Sequence, residues 1–394
     1  MPPVTTPREP DTQQPPENTP VPATRRSRRR RRRIVALVLL LLLTVPGISY
    51  EQALTAPGGG SWQARSVDWL RDHGGSSVVN AVENWWYSRQ APTGGTPEPD
   101  SLPQPAGSRS AAPANPVISG PGPVPPLPGH PAVAGEGTWI PGRPDAAGRP
   151  AIYTTFTRPD PTHASVVVGV AWMRAGASIV HLAAGTAQPG GSAWDGGAQV
   201  PDSAVPSLLS TFNSGWKFGD INGGFYLNGR TGPPLLSGQA SAVIDDKGMM
   251  TIGQWGRDVS MNGHVQAVRQ NLSLIVDGGK PADGLAANAT GQWGSAKNQF
   301  QYTWRSGIGT DAAGNLVYVA GNGLTLQTLA DAMVQIGVQR GMELDIHSNM
   351  VSFSSWTPTS TGSVTPTKLL PDMQRPADRY LAVDQRDFFY LTLR

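Results

Sequence analysis

The pattern of hydrophobic and polar positions is clearest between residues 302 and 353, where it predicts a strand, a turn, a strand, a helix and a strand. Residues 305–311 and 316–320 have the composition of two strands joined by a turn. Apolar side chains then recur at helical spacing over residues 326–338, behind Thr325 as a helix N-cap. We take this stretch as the centre of the fold.

A last strand is predicted at residues 341–347, and its two faces differ. The period of two puts Met342, Leu344 and Ile346 on one face and Glu343, Asp345 and His347 on the other. Such a strand, apolar on one face and bearing two carboxylates and an imidazole on the other, is either an exposed sheet surface or the wall of a polar site. Both interpretations predict that the polar side chains point away from the core.

Short β-type runs separated by Gly, Pro and Asp turns recur through residues 132–394, which we interpret as one domain. Strands are predicted at 152–156, 164–172, 178–182, 242–245, 250–254, 272–276 and 300–304. Helices are predicted at 205–211, 265–270 and 326–338. The pattern predicts an α+β fold, with a mainly antiparallel β-sheet core and a few packed helices. The sequence contains no P-loop, zinc motif or dinucleotide-binding turn.

A hydrophobic run near the amino terminus predicts attachment to a membrane. Residues 34–45 are mostly apolar, and eight arginines precede them within residues 25–33. Extension to residue 54 gives a transmembrane signal anchor, with residues 1–33 as a disordered cytoplasmic tail and the main domain outside the cytoplasm. Removal of this segment as a cleaved signal peptide is the alternative.

Two further segments separate the predicted anchor from the main domain. Residues 61–90 carry a short Trp-rich helical pattern broken at 73–75, whose aromatic side chains either lie at the lipid interface or pack on the domain. Residues 91–131 are rich in Pro, Gly and Ser, which predicts a linker of semi-rigid polyproline type.

Composition narrows the classes of function. The chain has 394 residues and no cysteine, which excludes disulfides, thiolate metal sites and cysteine nucleophiles. Arginine outnumbers lysine, as is typical of proteins from GC-rich bacteria. Nine arginines and three acidic residues lie in the first 50 positions, so the rest of the chain carries 22 basic and 25 acidic groups. That balance argues against nucleic-acid binding, which requires a basic surface.

Three motifs of the central stretch occur in a recognisable order. They are Arg305-Ser-Gly-Ile-Gly, then Gly323-Leu-Thr-Leu-Gln-Thr-Leu-Ala, then Leu344-Asp-Ile-His-Ser. They resemble the phosphodiester glycosidase domain, the type that removes N-acetylglucosamine from a phosphodiester to uncover mannose 6-phosphate. The family pattern reads Arg-Thr-Ala-Ile-Gly, Gly-x-Thr-Leu-x-Glu-Leu-Ala and Leu-Asp-Gly-Gly-Gly-Ser-Ser. This chain has Ile-His-Ser after Asp345, where the family pattern has three glycines. The difference affects the expected catalysis more than the expected fold, because glycines let the backbone approach a ligand closely.

An Asn-Gly-Gly-Phe element precedes these motifs in the family, and two stretches of this chain resemble it. Asn213 follows Leu-Leu-Ser-Thr-Phe and precedes Ser-Gly-Trp, whereas Asn222 is followed by Gly223, Gly224 and Phe225. The order along the chain favours Asn213 and the literal spelling favours Asn222. Both asparagines and the two glycines are therefore candidate substrate-binding residues.

The resemblance implies that a sugar is cleaved from a phosphate ester. This reaction needs a carboxylate near the oxocarbenium carbon and a fixed cation on the phosphate. Arg305 suits the phosphate because its planar fork can bind two oxygens, and a structural ion pair is its alternative role. Asp345 or Glu343 suits the carboxylate. His347 is either a proton carrier near neutral pH or a surface residue.

Two functions from different classes are consistent with these features. The first is a membrane-anchored hydrolase of a glycosyl phosphodiester in the cell envelope. The second is a non-catalytic protein that binds a phosphorylated glycan and tethers the membrane to the cell wall. Both imply a phosphorylated glycan or cell-wall polymer as the partner. No cofactor is predicted, and no loop has the ligand spacing of a metal site.

Overall fold

A computed structural model describes residues 24–55, 61–103, 120–192, 194–294, 300–360 and 362–394, with side chains omitted at 24–29 and 36–43. The chain divides into two units, Met1–Ala53 and Leu54–Arg394. Of the tail predicted to be disordered at residues 1–33, residues 1–23 lie outside the described part, and residues 24–33 belong to a helix.

The described part of the first unit belongs to helix α1 (Thr24–Thr55), which contains Pro46. Within the described residues, no helix has an apolar stretch of the length that a bilayer requires. The transmembrane anchor expected at residues 34–54 therefore stays a prediction.

Antiparallel β-sheets dominate the second unit, which confirms the predicted α+β class. The described strands form an eight-stranded sheet in the order β1-β2-β3-β14-β13-β15-β11-β12, and two five-stranded sheets in the orders β7-β6-β10-β8-β9 and β17-β16-β5-β18-β4. Their bounds are β1 (Ile140–Pro141), β2 (Ile152–Thr157), β3 (Val168–Met173), β4 (Ser178–Ala183), β5 (Leu208–Asn213), β6 (Phe225–Leu227), β7 (Arg230–Thr231), β8 (Ala240–Asp245), β9 (Met250–Gln254), β10 (Val265–Gln270), β11 (Leu274–Asp277), β12 (Lys280–Pro281), β13 (Thr303–Asp311), β14 (Leu316–Leu324), β15 (Val338–Ile346), β16 (Phe353–Pro358), β17 (Val364–Lys368) and β18 (Phe388–Leu393).

Helices are few and short in this unit. Among its described residues they are α2 (Trp62–Leu70), α3 (Ser76–Tyr87) and α4 (Leu326–Gln335), with short 3₁₀ turns at Pro99–Ser101, Asp202–Ser207 and Arg379–Leu381. The predicted Thr325 cap is confirmed, because its side chain accepts a hydrogen bond from the Thr328 backbone N–H. Helix α4 packs close to the sheet because β13 and β15 have glycines beneath it: a Cβ on Gly309 or Gly341 would come within about 3 Å of Met333.

Two predicted helices are strands in the structure. Residues 208–213 form β5, with a 3₁₀ turn before it, and residues 265–270 form β10. Every residue of β5 is buried, as is all of β10 except Gln266, so neither strand shows the alternation that marks a half-buried strand. Without alternation, the apolar residues of such short runs also fit a helical spacing.

Strand β15 lies inside the eight-stranded sheet, and its alternation breaks near its end. Arg305 of β13 is paired with Ile346, but Gly307 is paired with Glu343, so β15 has one extra residue between these pairs. Met342 and Leu344 accordingly join one core cluster, and Ile346 joins the cluster on the α4 side. Glu343 and Asp345 are also buried. The prediction of a polar face turned away from the core was wrong, because the sheet is covered on both faces and the strand bulges.

Helices α2 and α3, here called the helical pair (residues 62–87), pack on the domain. The chain leaves helical geometry between them at His73 and Gly74, as the break predicted at 73–75 requires. The Gln301 side chain donates a hydrogen bond to Asn84 at 2.6 Å, and the Tyr302 backbone N–H donates to the Tyr87 carbonyl at 3.3 Å. Of the two alternatives for this segment, the structure shows packing on the domain.

The segment predicted as a linker, residues 91–131, is described at 91–103 and 120–131. Val124 and Leu127 are buried. The Ser165 hydroxyl donates a hydrogen bond to the Thr93 carbonyl, and the Trp139 indole donates to the Gly122 carbonyl. Both described parts therefore contact the domain, whereas the sequence predicted a spacer. Residues 104–119 lie outside the described part.

Candidate functional site

A cavity of about 220 Å³ lies where the end of β15 meets two loops and the helical pair. The loop after β5 contributes Trp216, Lys217 and Asp220, and the segment before β18 contributes Arg386. The remaining lining residues come from the end of β15 and the loop that follows it (Asp345, Ile346, His347, Ser348, Asn349 and Met350) and from the helical pair (Gln63, Ala64, Val67, Asp68, Arg71, Glu83 and Tyr87). The cavity is therefore rich in charge and formed by segments distant in sequence.

Asp345 is the carboxylate most firmly fixed at this cavity. Its Oδ2 accepts a hydrogen bond from Arg386 Nη2 at 2.7 Å, and its Oδ1 accepts from the Ile346 backbone N–H at 2.9 Å. Arg386 Nη2 also donates to the Gly215 carbonyl at 3.0 Å. Burial raises the pKa of Asp345, and Arg386 opposes that rise. The pair thus holds an oriented carboxylate beside a cation, largely shielded from solvent.

Two buried N–H groups at the cavity have no acceptor within the described part of the chain. They are Arg386 Nε and Trp216 Nε1, of residues that are 9% and 7% exposed overall. A buried donor without a partner costs about 1–3 kcal/mol. Both residues line the cavity, and an anion is the acceptor that suits an arginine N–H best.

His347 follows β15 and contacts the helical pair. Its φ of 74° is left-handed, a conformation that glycine adopts freely and that the family motif provides with glycine at this place. The imidazole stacks on Tyr87 with ring centroids 5.1 Å apart, and its Nδ1 lies 3.1 Å from the Thr303 hydroxyl. Burial, with smaller effects of Arg71 and Arg305, lowers the pKa of His347 to about 3. The ring is neutral near pH 7, which is unfavourable for the predicted proton carrier.

Arg305 and Glu343 pair with each other within the sheet and do not line the cavity. Arg305 Nη1 donates a hydrogen bond to Glu343 Oε1 at 2.6 Å, and Arg305 Nε donates to the Leu324 carbonyl at 2.9 Å. Both side chains are 1% exposed. Burial raises the pKa of Glu343 to about 6, although Arg305 acts in the opposite direction. The geometry corresponds to the structural ion pair that was the alternative for Arg305.

Asn213 lies in the core, where four hydrogen bonds use its amide group. The amide oxygen accepts from the Tyr318 hydroxyl and the Ser352 backbone N–H, at 2.8 and 3.0 Å. The amide nitrogen donates to the Ser306 hydroxyl and the Ser214 carbonyl, at 3.0 and 2.9 Å. This asparagine therefore links β5, β13 and β14, and it has no remaining hydrogen-bonding capacity for a ligand.

Asn222, Gly223 and Gly224 precede β6 and do not line the cavity. Asn222 is exposed, whereas both glycines are buried. A Cβ on Gly224 would lie 2.4 Å from the Pro234 carbonyl oxygen, and its backbone N–H donates to the Gln270 side chain. Close backbone packing thus accounts for this glycine pair. Of the eight candidates from the sequence, the cavity brings together Asp345 and His347.

Arg386, Trp216, Lys217 and the contribution of the helical pair were not predicted from the sequence. Trp216 and Lys217 directly follow the Asn213 motif, so their place in the chain was a usable signal. Asp384, Arg386 and Asp387 form a charged run directly before the apolar strand β18, and a charged run at the end of a buried strand suggests a polar site. Within the described residues, no group of three or more His, Asp or Glu side chains is placed to hold a metal ion.

Comparison with known proteins confirms the resemblance inferred from the motifs. Residues 220–363 match the model of the phosphodiester glycosidase family. The match includes Asp345 and His347 but neither Trp216 nor Arg386. A search of curated proteins found no match.

Three solved structures are similar at low sequence identity. The catalytic domain of zebrafish N-acetylglucosamine-1-phosphodiester alpha-N-acetylglucosaminidase, auto-inhibited by its pro-peptide, is 15% identical, with 64% of this chain and 87% of that chain covered and a TM-score of 0.43. A hypothetical protein from Synechocystis is 15% identical, with 62% of each chain covered and a TM-score of 0.35. A putative exported protein from Burkholderia pseudomallei is 12% identical, with 60% and 76% covered and a TM-score of 0.33.

The Arg305–Glu343 pair predicts a loss of stability on mutation. Arg305→Ala leaves a buried carboxylate without its cation, so we expect the free energy of unfolding to fall by about 3–5 kcal/mol in urea denaturation. Arg257→Ala is the matched control, because Arg257 pairs with Asp258 and Asp277 while 43% exposed, and should cost at most about 1 kcal/mol. An Arg305→Ala protein as stable as wild type would contradict the structural role.

Proposed function

We propose, from the match of residues 220–363 to the phosphodiester glycosidase family, that this protein hydrolyses a phosphodiester-linked glycan in the cavity at the end of β15. The observation that carries the proposal is the buried pair of Asp345 and Arg386 at the cavity wall. It supplies the two groups that the reaction requires, a carboxylate and a fixed cation, side by side.

The phosphate is assigned to Arg386 instead of Arg305. Arg305 is enclosed by Glu343 and backbone carbonyls, whereas Arg386 lines the cavity and has its Nε–H directed to no acceptor in the described chain. Trp216 Nε1 adds a second buried donor at the same cavity. Hydrogen bonds from a guanidinium and an indole favour an anionic oxygen over a neutral one. A phosphodiester, with a single negative charge, fits this donor set.

The chemistry needs little from an acid catalyst. The bond between the anomeric carbon and the phosphate ester oxygen breaks, and its electron pair leaves with the phosphate monoester, a stable anion. The oxygen of a water molecule bonds to the anomeric carbon and a proton is released. Asp345 stabilises the positive charge that develops on the sugar, and Arg386 stabilises the negative charge on the leaving phosphate. The neutral His347 lines the same wall and contributes no charge near pH 7.

The phosphoglycan-binding tether remains the second candidate, and one observation favours it. The Asp345 carboxylate is already bound by Arg386 and by the Ile346 N–H, where the family motif has glycines after the aspartate. A carboxylate that already accepts these two hydrogen bonds is less able to stabilise the positive charge that develops on the sugar. It fits a static binding site better than a catalytic one. Turnover therefore has to be measured separately from binding.

We further propose that the protein is anchored in the cell membrane with its main domain outside the cytoplasm. The support is the arginine cluster at residues 25–33 before the apolar run at 34–45. A phosphorylated polymer of the cell envelope would then be the accessible substrate.

Replacement of the paired residues tests the site. With the full-length chain and the methyl diester of N-acetylglucosamine 1-phosphate as the probe, Arg386→Lys should weaken binding about 10-fold, because lysine keeps a cation beside the buried Asp345 carboxylate but lacks the Nε–H of the guanidinium. Asp345→Asn should lower kcat more than it changes binding, since a group that acts on the developing charge acts mainly in the transition state. Arg257→Ala, at a residue that is not part of the cavity lining, is the control and should bind as wild type does.

The results separate the two candidate functions. Sugar release that is lost in Asp345→Asn establishes a hydrolase. Tight binding of the diester without sugar release, weakened by Arg386→Lys, establishes the tether instead. Diester binding that Arg386→Lys leaves unchanged contradicts phosphate binding at Arg386 for either function.

Topology is tested in intact cells. Protease added to spheroplasts should digest residues beyond about 60, because the predicted arginine cluster keeps the amino terminus inside. Protection of the main domain would reverse the topology, and a soluble chain lacking the first 50 or so residues would show that the segment is cleaved.

A further inference from the structure

The helical pair brings its own charges to the cavity. Asp68 Oδ1 lies 2.7 Å from Lys217 Nζ, and Asp72 Oδ1, on a mostly exposed side chain, lies 3.8 Å from it. Arg71 pairs with Glu83 within the helical pair and lies 3.6 Å from Asp220 of the domain. The principal contact between a domain cation and the helical pair is therefore that of Lys217 with Asp68.

Lys217 is placed to act on the same ligand as Arg386. It directly follows Trp216, lines the same cavity, and lowers the pKa of Asp345 through its charge. Its side chain is only 14% exposed. A carboxylate oxygen and a phosphate oxygen make the same kind of contact with an ammonium group. Asp68 thus takes the position on Lys217 that a phosphate oxygen can take.

Little apolar burial holds the helical pair in place. Helix α2 has no buried residue, and α3 has Val79 alone. Trp62, Val78, Trp85 and Trp86 are each more than half exposed. Segments with few buried apolar contacts open at a small fraction of the global free energy of unfolding. The contact between Asp68 and Lys217 can therefore break without unfolding of the sheets.

We propose that Lys217 is a second phosphate-binding residue, and that Asp68 of the helical pair competes with the ligand for it. The proposal rests on the assignment of the cavity as the phosphodiester site. Ligand binding moves the Asp68 carboxylate off Lys217 and displaces the helical pair locally. The helical pair contributes two acidic residues, Asp68 and Glu83, and one basic residue, Arg71, to the cavity lining. Its displacement therefore also removes more negative than positive charge from around the anion.

A double-mutant cycle on the full-length chain tests this competition. Affinity for the methyl diester of N-acetylglucosamine 1-phosphate is measured by calorimetry for wild type, Asp68→Asn, Lys217→Ala and the double variant. Asp68→Asn should tighten binding about 3-fold to 10-fold, because the competing carboxylate is neutralised. Lys217→Ala should weaken binding about 10-fold. In the Lys217→Ala background, Asp68→Asn should tighten binding less than it does in wild type, since the residue for which Asp68 competes is gone and only the relief of repulsion remains.

The control removes one negative charge elsewhere. Asp100→Asn lies on an exposed 3₁₀ turn outside the cavity lining and should leave the affinity unchanged. The proposed competition between Asp68 and the ligand would be overturned if Asp68→Asn weakened binding. It would also be overturned if Asp68→Asn tightened binding equally with and without Lys217. A general electrostatic effect would appear in the Asp100 variant as well.

Failure of the proposed function is recognised separately. The same cycle is run with inorganic phosphate, which needs no sugar site. If the diester binds no variant but phosphate follows the cycle, the glycosidase assignment fails and Lys217 remains an anion-binding residue. If neither probe follows the cycle, the proposal for Lys217 is wrong.

Hydrogen exchange gives a readout without any ligand. Asp68→Asn should speed exchange of the amides in residues 62–87 while β13 and β14 exchange as in wild type. If residues 62–87 exchange as slowly as β13 in both wild type and Asp68→Asn, the helical pair does not move. That result would overturn the proposed displacement of the helical pair.

Discussion

Two buried carboxylates on one strand, Glu343 and Asp345, each require a cation of their own. Burial raises the pKa of both, and a buried carboxylate without a partner would be strongly destabilising. Arg305 of the neighbouring strand β13 pairs with Glu343, and Arg386 from the segment before β18 pairs with Asp345. The first pair lies within one sheet. The second connects two sheets and lies at the cavity, so the same electrostatic requirement produces a structural element and a candidate site.

The bulge in β15 separates these two pairs. Without the extra residue between Glu343 and Ile346, the period of two would put both carboxylates on the same face. A ligand on that face would then contact both carboxylates, and a ligand on the other face would contact neither. The strand ends at Ile346, and the left-handed backbone of His347 follows along the cavity wall. Local backbone geometry thus decides which acidic residue is available for chemistry.

Much of the central stretch could be predicted from sequence, because its helix and strands carry regular signals. The Thr325 cap, the apolar spacing of α4 and the turn between β13 and β14 all appear in the structure. Strands β5 and β10 could not be recognised, since they are buried on both faces and have no alternation. The pairing of Arg305 with Glu343 could not be predicted either. The sequence shows an arginine that can bind phosphate, but not that a buried glutamate already pairs with it. Arg386 lies 41 residues beyond Asp345, and only the sheet order brings them together.

A structure of the Asp345→Asn protein with the methyl diester of N-acetylglucosamine 1-phosphate tests most directly whether the anion binds at Arg386 and Trp216. The substitution slows turnover so that the intact diester is retained. We predict that phosphate oxygens accept hydrogen bonds from Arg386 Nε and Trp216 Nε1, with the anomeric carbon beside residue 345. A phosphate bound away from both groups, at Arg305 or at the loop of Asn222, would contradict it.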